Sequence, residues 1–194
     1  MRMAPGDLEP MTRSLAEGAR EEWPVGLLDW LTSTKRPEPG TPVCPTEKVR
    51  ERILAINRPS APFHIIDGRD EGVDLIAEWK IVDAQWYEIF AKAGMRKTFR
   101  IFMKLDEGAS EVRAKDHEYR VSWSVGVPTI HASASRFMGQ KQSIQFGTAY
   151  AFTEELRPGE VYNYRFSTGE LKKPIQEAVT GCGWTYRGIA FGKL

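Results

Sequence analysis

The chain has 194 residues, enough for one ordinary domain with an additional segment. Its 27 Lys and Arg residues nearly balance its 26 Asp and Glu residues. A dedicated nucleic-acid binder carries a clear basic excess, so the net charge of +1 argues against that class and we expect no nucleic-acid partner. We also expect no membrane span, because the sequence has no run of about 20 apolar residues.

The cysteine content bears on the cellular compartment. Cys44 and Cys182 are the two cysteines, and they lie far apart in the sequence. This pattern predicts neither a disulfide framework nor a metal site, but two reduced thiols. The N-terminus lacks the apolar core of a signal peptide, so we expect a cytoplasmic protein. Motifs for dinucleotides and phosphates are absent from the sequence, and we therefore expect no cofactor.

Residues 1–45 have a different composition from the rest of the chain. Nine of the 12 prolines fall within residues 1–62, and proline disfavours both helix and sheet. This predicts a Pro-rich, largely disordered segment at residues 1–45 and a single α+β domain at residues 46–194. A short apolar motif interrupts the segment, and it is either a helix that folds back onto the domain or a binding site for a protein partner. The motif consists of Leu27, Leu28, Trp30 and Leu31.

The first half of the domain begins with a helix. Thr46 is a suitable N-cap for a helix with Val49 and Ile53 on its apolar stripe. Alternating apolar residues then predict strands at 63–66 and 73–81. A second helix should start after Asp83 and end at Gly94.

The centre of the domain is predicted to be a half-buried sheet. Apolar residues occupy every second position of residues 98–106 and again of residues 119–125, which is the period of a strand. Residues 127–141 have no such period and contain Pro128, so we expect a loop there.

The last part of the chain adds strands at 144–152 and 162–166, a helix at 168–180 and a closing strand at 184–191. The helix has an apolar stripe that should cover the sheet, formed by Leu171, Ile175, Ala178 and Val179. Its other side should face solvent, and carries Lys172, Lys173, Gln176 and Glu177.

These elements predict an α+β fold with a curved, mainly antiparallel sheet of about seven or eight strands and two packed helices. A sheet of so many strands in a domain of this size should curl towards a barrel.

The three histidines are the candidate acid–base groups. His64 lies among apolar residues of a short strand, which favours a structural role. His117 follows Asp116, but neighbours along a strand point to opposite faces, so their adjacency does not establish a catalytic pair. His131 falls in the predicted loop, where functional residues are frequent. An enzyme that uses scattered carboxylates with His117 or His131 is therefore one hypothesis.

The aromatic residues of the predicted strands support a second hypothesis. They form the core, or they line a cavity in which phenol and indole groups orient a small ligand. The candidate ligand-binding residues are Trp123, Tyr150, Tyr162, Tyr164, Arg165 and His131. Because the sequence contains no complete catalytic motif, we favour non-catalytic binding of a protein partner or a small ligand over an enzyme.

Overall fold

The computed structural model describes residues 32–84, 86–92, 94–132, 150–153, 161–164, 168–189 and 194. At positions 87, 89, 92, 132, 150–153, 161–164 and 168 it describes the backbone alone. The described helices are α1 (Thr46–Leu54), α2 (Tyr87–Lys92) and α3 (Thr168–Thr180). The described strands are β1 (Phe63–Asp67), β2 (Leu75–Trp79), β3 (Lys97–Asp106), β4 (Glu111–Ser124), β5 (Val127–Ala132), β6 (Tyr150–Thr153), β7 (Val161–Tyr164) and β8 (Thr185–Gly188).

Six of these strands form an open, mixed sheet. Strands β1, β2, β3 and β4 are neighbours in that order, and the far edge of β4 pairs with two strands. Residues 111–114 of β4 pair with β8 in parallel, and residues 119–124 pair with β5 in antiparallel orientation. Strands β6 and β7 form a separate two-stranded sheet. The α+β class is confirmed, whereas a single sheet of seven or eight strands and its closure towards a barrel are not confirmed.

Alternate residues of the sheet build a buried inner face. Phe99, Ile101 and Met103 of β3 are fully buried. Met103 lies opposite Leu75 of β2 on one side and Ala114 of β4 on the other. Residues opposite one another share a face, so the buried row continues from strand to strand. All three helices pack on this face and contribute Val49, Ile53, Phe90, Leu171, Ile175 and Val179 to one hydrophobic core.

The structure confirms the predicted apolar stripe of α3 but not the whole of its predicted solvent-facing side. Its stripe residues Leu171, Ile175 and Val179 are fully buried. The prediction that Lys172 faces solvent is wrong, because this residue is only 4% exposed. Its ammonium group lies 2.6 Å from Oδ2 of Asp116, which shares the inner face of β4 with the buried Ala114. The attraction to a buried carboxylate thus stabilises Lys172 in its buried position.

Residues 127–132 form strand β5, so the prediction of a loop is wrong there. A two-residue turn, Val125 and Gly126, connects β4 to β5. Both residues have positive φ, 51° and 80°, as type I′ hairpin turns require. Val127 and Ile130 are exposed, and Pro128 is tolerated in a strand at the sheet's edge. The strand lacks the apolar alternation of a half-buried strand, which explains the error.

Residues 32–45, which we call the N-terminal strap, lie against β8 and the end of α3. Lys35 and Tyr186 exchange two backbone hydrogen bonds of 2.8 and 2.9 Å. The backbone N–H of Cys44 donates to the carbonyl oxygen of Cys182 at 2.9 Å, and the Gln176 side chain donates to the carbonyl of Ser33 at 2.8 Å. These backbone hydrogen bonds give the strap partners that composition does not reveal.

Candidate functional site

The outer face of the sheet carries a line of polar residues that crosses four strands. His64 of β1 lies opposite Glu78 of β2, Glu78 lies opposite Arg100 of β3, and Arg100 lies opposite His117 of β4. Their alternation with buried neighbours places these four side chains on the same face. We call this set the polar row.

Ion pairs connect three members of the polar row. Nε2 of His64 lies 2.9 Å from Oε1 of Glu78, and Nε of Arg100 lies 2.6 Å from Oε2 of the same carboxyl group. Arg100 also pairs with Glu71 at 2.8 Å. Its guanidinium group lies 5.3 Å from the ring centre of Phe102, within the range of a cation–π contact. Glu78 therefore joins a histidine to a well-anchored arginine.

The surroundings of Glu78 keep it ionised. Burial acts to raise the pKa of this carboxyl group, but the hydrogen bond with His64 and the charge of Arg100 outweigh burial and lower the pKa. An ionised carboxylate only accepts hydrogen bonds, so Nε2 of His64 must donate. In the neutral imidazole this leaves Nδ1 with a lone pair, as a general base requires.

His64 also lines a pocket of about 330 Å³ beside β1. The pocket is bounded by Asn57, Arg58, Pro59, His64, Ile65, Ile66 and Lys80. Its ionisable lining residues are Arg58, His64 and Lys80, with no carboxylate among the lining residues that the structure describes. The pocket therefore combines positively charged residues, Arg58 and Lys80, with apolar lining residues. This combination suits a small anion.

Well-placed side chains hold the pocket walls. The amide group of Asn57 donates to the carbonyl of Ile65 and accepts from its N–H, both at 2.7 Å, which fixes the loop after α1 to β1. Nζ of Lys80 lies 3.4 Å from the carbonyl oxygen of Pro59 and 5.9 Å from the ring centre of Trp86. Burial lowers the pKa of Lys80, although the charge of Asp83 opposes that effect. The donors of the pocket are thus held in place by the fold.

The two histidines proposed as acid–base groups lie elsewhere. The ring of His117 packs on Phe102, with 4.4 Å between ring centres. Burial and the charge of Lys115 lower the pKa of His117. Nε2 of His131 lies 3.1 Å from the hydroxyl of Ser122 in the β4–β5 hairpin. Neither histidine lines the pocket.

Trp123 is anchored to the protein interior. It is partly buried against the hydrophobic core, and its indole N–H donates to the carbonyl of Met95 at 2.6 Å. Its polar group is therefore committed to the backbone, and it is not among the residues that line the pocket.

Several predicted site residues are only partly described. The backbones of Tyr150 and Tyr164 pair across β6 and β7, and Tyr162 lies opposite Phe152. The side chains of these tyrosines lie outside the described part of the chain. The remaining predicted site residues lie outside the described residues altogether, namely Arg165, Leu27, Leu28, Trp30 and Leu31.

Sequence reasoning did not identify the polar row or the pocket. His64, Glu78 and Arg100 each occupy the polar position of an alternating strand, which is a recognisable signal. That signal does not show which polar positions are neighbours, because the register between strands decides it.

Two general findings limit the chemistry of the described residues. Among them, no group of three or more His, Cys, Asp and Glu side chains could hold a metal ion. Within the same residues, no helix is long and apolar enough to cross a membrane.

Comparison of the chain with protein-family models, with curated proteins and with solved structures finds no match.

Proposed function

We propose that this protein binds a small anionic ligand, without catalysis, in the pocket lined by Arg58, His64 and Lys80. The observation that carries the proposal is that Arg58, His64 and Lys80 all line one pocket, whose described lining has no carboxylate. A carboxylate or phosphate group would accept hydrogen bonds from the side chains of Arg58 and Lys80, whereas Nε2 of His64 already donates to Glu78.

The state of Lys80 supports this choice of ligand. Burial lowers the pKa of its ammonium group, because the charge has lost part of its hydration. An anion beside Nζ would compensate for that desolvation. The pocket volume of about 330 Å³ lies at the lower end of the range for small-molecule sites, which favours a ligand of a few heavy atoms beyond its charged group.

The test is calorimetric titration of the full chain with inorganic phosphate and with citrate. We expect saturable binding that weakens as salt is added, because salt screens charge attraction. Lys80→Met keeps much of the apolar stem and removes the charge, and we expect it to lower affinity by about 10–100-fold, since a hydrogen bond to a charged group contributes about 1.5–3 kcal/mol. Arg58→Ala should act in the same direction.

Lys173→Met is the matched control, because the Lys173 side chain is 78% exposed on α3. It removes the same charge from the protein and should leave anion affinity unchanged. Equal affinity in wild type, Lys80→Met and Arg58→Ala would refute the proposed site.

Acid–base catalysis in the same pocket is the second candidate function. It is supported by the hydrogen bond from His64 to the ionised Glu78, which orients the imidazole towards a role as general base. The test is hydrolysis of p-nitrophenyl phosphate and p-nitrophenyl acetate by wild type, His64→Gln and Glu78→Gln. Turnover that both substitutions abolish would favour the enzyme, whereas anion binding without turnover of either ester would favour the binding protein.

A cytoplasmic location stays a prediction, and so does the binding of a protein partner through Leu27, Leu28, Trp30 and Leu31. The test of partner binding is an affinity capture with the full chain and with a chain that starts at Thr32. A partner retained only by the full chain would support this motif, and one retained equally by both would exclude it.

A further inference from the structure

Cys44 and Cys182 are far apart in sequence but adjacent in the fold. The backbone N–H of Cys44 donates to the carbonyl of Cys182 at 2.9 Å. The indole N–H of Trp184 donates to the carbonyl of Cys44, also at 2.9 Å. A direct backbone hydrogen bond keeps the two residues close together, as a disulfide requires, since it bridges Cα atoms roughly 4.4–6.8 Å apart.

The two side chains occupy the same part of the core. Both cysteines are free thiols. Cys182 is fully buried, and Cys44 is partly buried against the same hydrophobic cluster. Burial raises the pKa of the Cys182 thiol, a hydrogen bond with the Cys44 side chain raises it further, and nearby Arg52 opposes these effects. Cys44 and Cys182 thus lie in the same part of the core, and Cys44 is the more accessible of the two.

Close packing holds the two cysteines next to each other. A side chain at Gly183 would place its Cβ 2.6 Å from the carbonyl oxygen of Pro42, so the strap lies directly against the turn after α3. The Arg52 side chain donates to the carbonyl of Gly181 at 2.9 Å and ties the same turn to α1. These two contacts therefore hold the turn that contains Cys182 close to the strap and to α1.

We propose that Cys44 and Cys182 form a reversible intramolecular disulfide under oxidation by a peroxide, and that this bond fastens the N-terminal strap to the turn after α3. The thiol of Cys44 loses its proton, and the thiolate attacks one oxygen of hydrogen peroxide and breaks the O–O bond. This yields a sulfenic acid at Cys44 and a hydroxide, which takes up the proton to give one water. The sulfur of Cys182 then attacks the sulfur of Cys44, forms the S–S bond and releases the second water. Two thiols lose two electrons and two protons, and one peroxide is reduced to two waters. The inference is independent of the anion pocket.

The experiment uses the full chain, reduced and then treated with hydrogen peroxide. We expect intact mass to fall by two hydrogens, and peptide mapping to identify one peptide pair linked through Cys44 and Cys182. The midpoint of urea denaturation should rise on oxidation, because a cross-link between distant residues restricts the unfolded chain. Dithiothreitol should reverse both changes.

Cys44→Ser is the decisive variant, because Cys44 is only partly buried and its backbone hydrogen bonds do not depend on sulfur. We expect this variant to fold, and its urea midpoint to stay constant on oxidation. Cys182→Ser should behave alike if it folds. The proposal would be overturned if wild type yielded no linked peptide while Cys44 progressed to sulfinic acid. It would also be overturned if disulfides formed only between chains, at a rate that rises with protein concentration.

Discussion

At the residue scale, Lys172 and Asp116 form a buried ion pair in the core. The side chains are 5% and 1% exposed, and their charged atoms lie 2.6 Å apart. Removal of two charges from water is costly, and their attraction offsets that cost only while both are present. The fully buried Tyr186 is also affected, since burial and the charge of Asp116 raise the pKa of its hydroxyl well above the usual value.

We expect Lys172→Met to lower the free energy of unfolding by about 3–5 kcal/mol, because it leaves the Asp116 carboxylate buried without the ammonium group. Urea denaturation measures this loss. The double variant Lys172→Met, Asp116→Leu should lose much less, since it removes both charges. Lys173→Met controls for the loss of a lysine and should change stability by less than about 0.5 kcal/mol. Equal effects of Lys172→Met and Lys173→Met would contradict a buried ion pair.

His117 provides a prediction for pH dependence. Burial and the charge of Lys115 lower its pKa below 6.5, although Asp116 acts in the opposite direction. Between the folded-state pKa and 6.5, the unfolded chain binds a proton more readily than the folded protein does. His117 therefore reduces stability as the pH falls through 6.5 towards its folded-state pKa.

An NMR titration of the His117 ring protons should give a pKa below 6.5 in the folded protein. Lys115→Met should raise this pKa, because it removes a nearby positive charge. Lys48→Met, at an exposed position of α1, should leave it unchanged. A titration midpoint at or above 6.5 in wild type would exclude desolvation as the dominant effect.

At the element scale, the β4–β5 hairpin combines a favourable turn type with an unfavourable residue. Val125 has a φ of 51° and is fully exposed. A β-branched side chain in the left-handed region is strained, and such strain costs about 1–3 kcal/mol. Gly126, with a φ of 80°, occupies the second turn position without that cost.

We expect Val125→Asn to stabilise the domain by about 1 kcal/mol, because Asn-Gly is the preferred pair for a type I′ turn. The urea midpoint measures this gain. Val127→Asn is the control, since Val127 is also exposed but lies within β5, where asparagine is disfavoured. A loss of stability in Val125→Asn would mean that the valine side chain has a packing role that outweighs its backbone strain.

Helix α3 supplies the second prediction at this scale. Ile175 is fully buried on the stripe that packs against the sheet. Ile175→Asp would place an unpaired charge in the core and should prevent folding, seen as loss of the cooperative urea transition and of the near-ultraviolet circular dichroism signal. Glu177→Asp on the exposed side should retain both signals.

Some structural features of these elements could be predicted from the sequence, and others could not. The α3 stripe and the β3 row are predictable, because each follows a period set by the local backbone. The burial of Lys172 is not predictable in this way, since it depends on Asp116 from a distant strand. The polar row and the pocket depend on the register of β1 to β4, and β5 has too little apolar alternation to be recognised. The apolar period of a segment therefore predicts which face of a helix or strand is buried. The pairing of distant strands determines which side chains meet at the candidate site.

At the scale of the whole molecule, the sheet has one covered and one polar face. The helices bury the inner face, and the outer face carries the polar row together with a small apolar cluster of Val73, Ile76 and Phe102. The strap, α1 and α3 meet at the turn that contains Cys182. The pocket beside β1 and the cysteine pair therefore lie on different parts of the described fold, and substitutions in one should leave the other unchanged.

The position of β8 has a consequence for the order of events during synthesis. A ribosome releases β4 well before β8, yet residues 111–114 of β4 pair with Thr185–Gly188. Until those late residues emerge, this edge of the nascent sheet lacks its parallel neighbour, and Lys35 of the strap lacks Tyr186. Exposed strand edges promote association between chains. The sheet thus cannot be completed from the N-terminus onward, and this edge of β4 stays open until Thr185–Gly188 has left the ribosome.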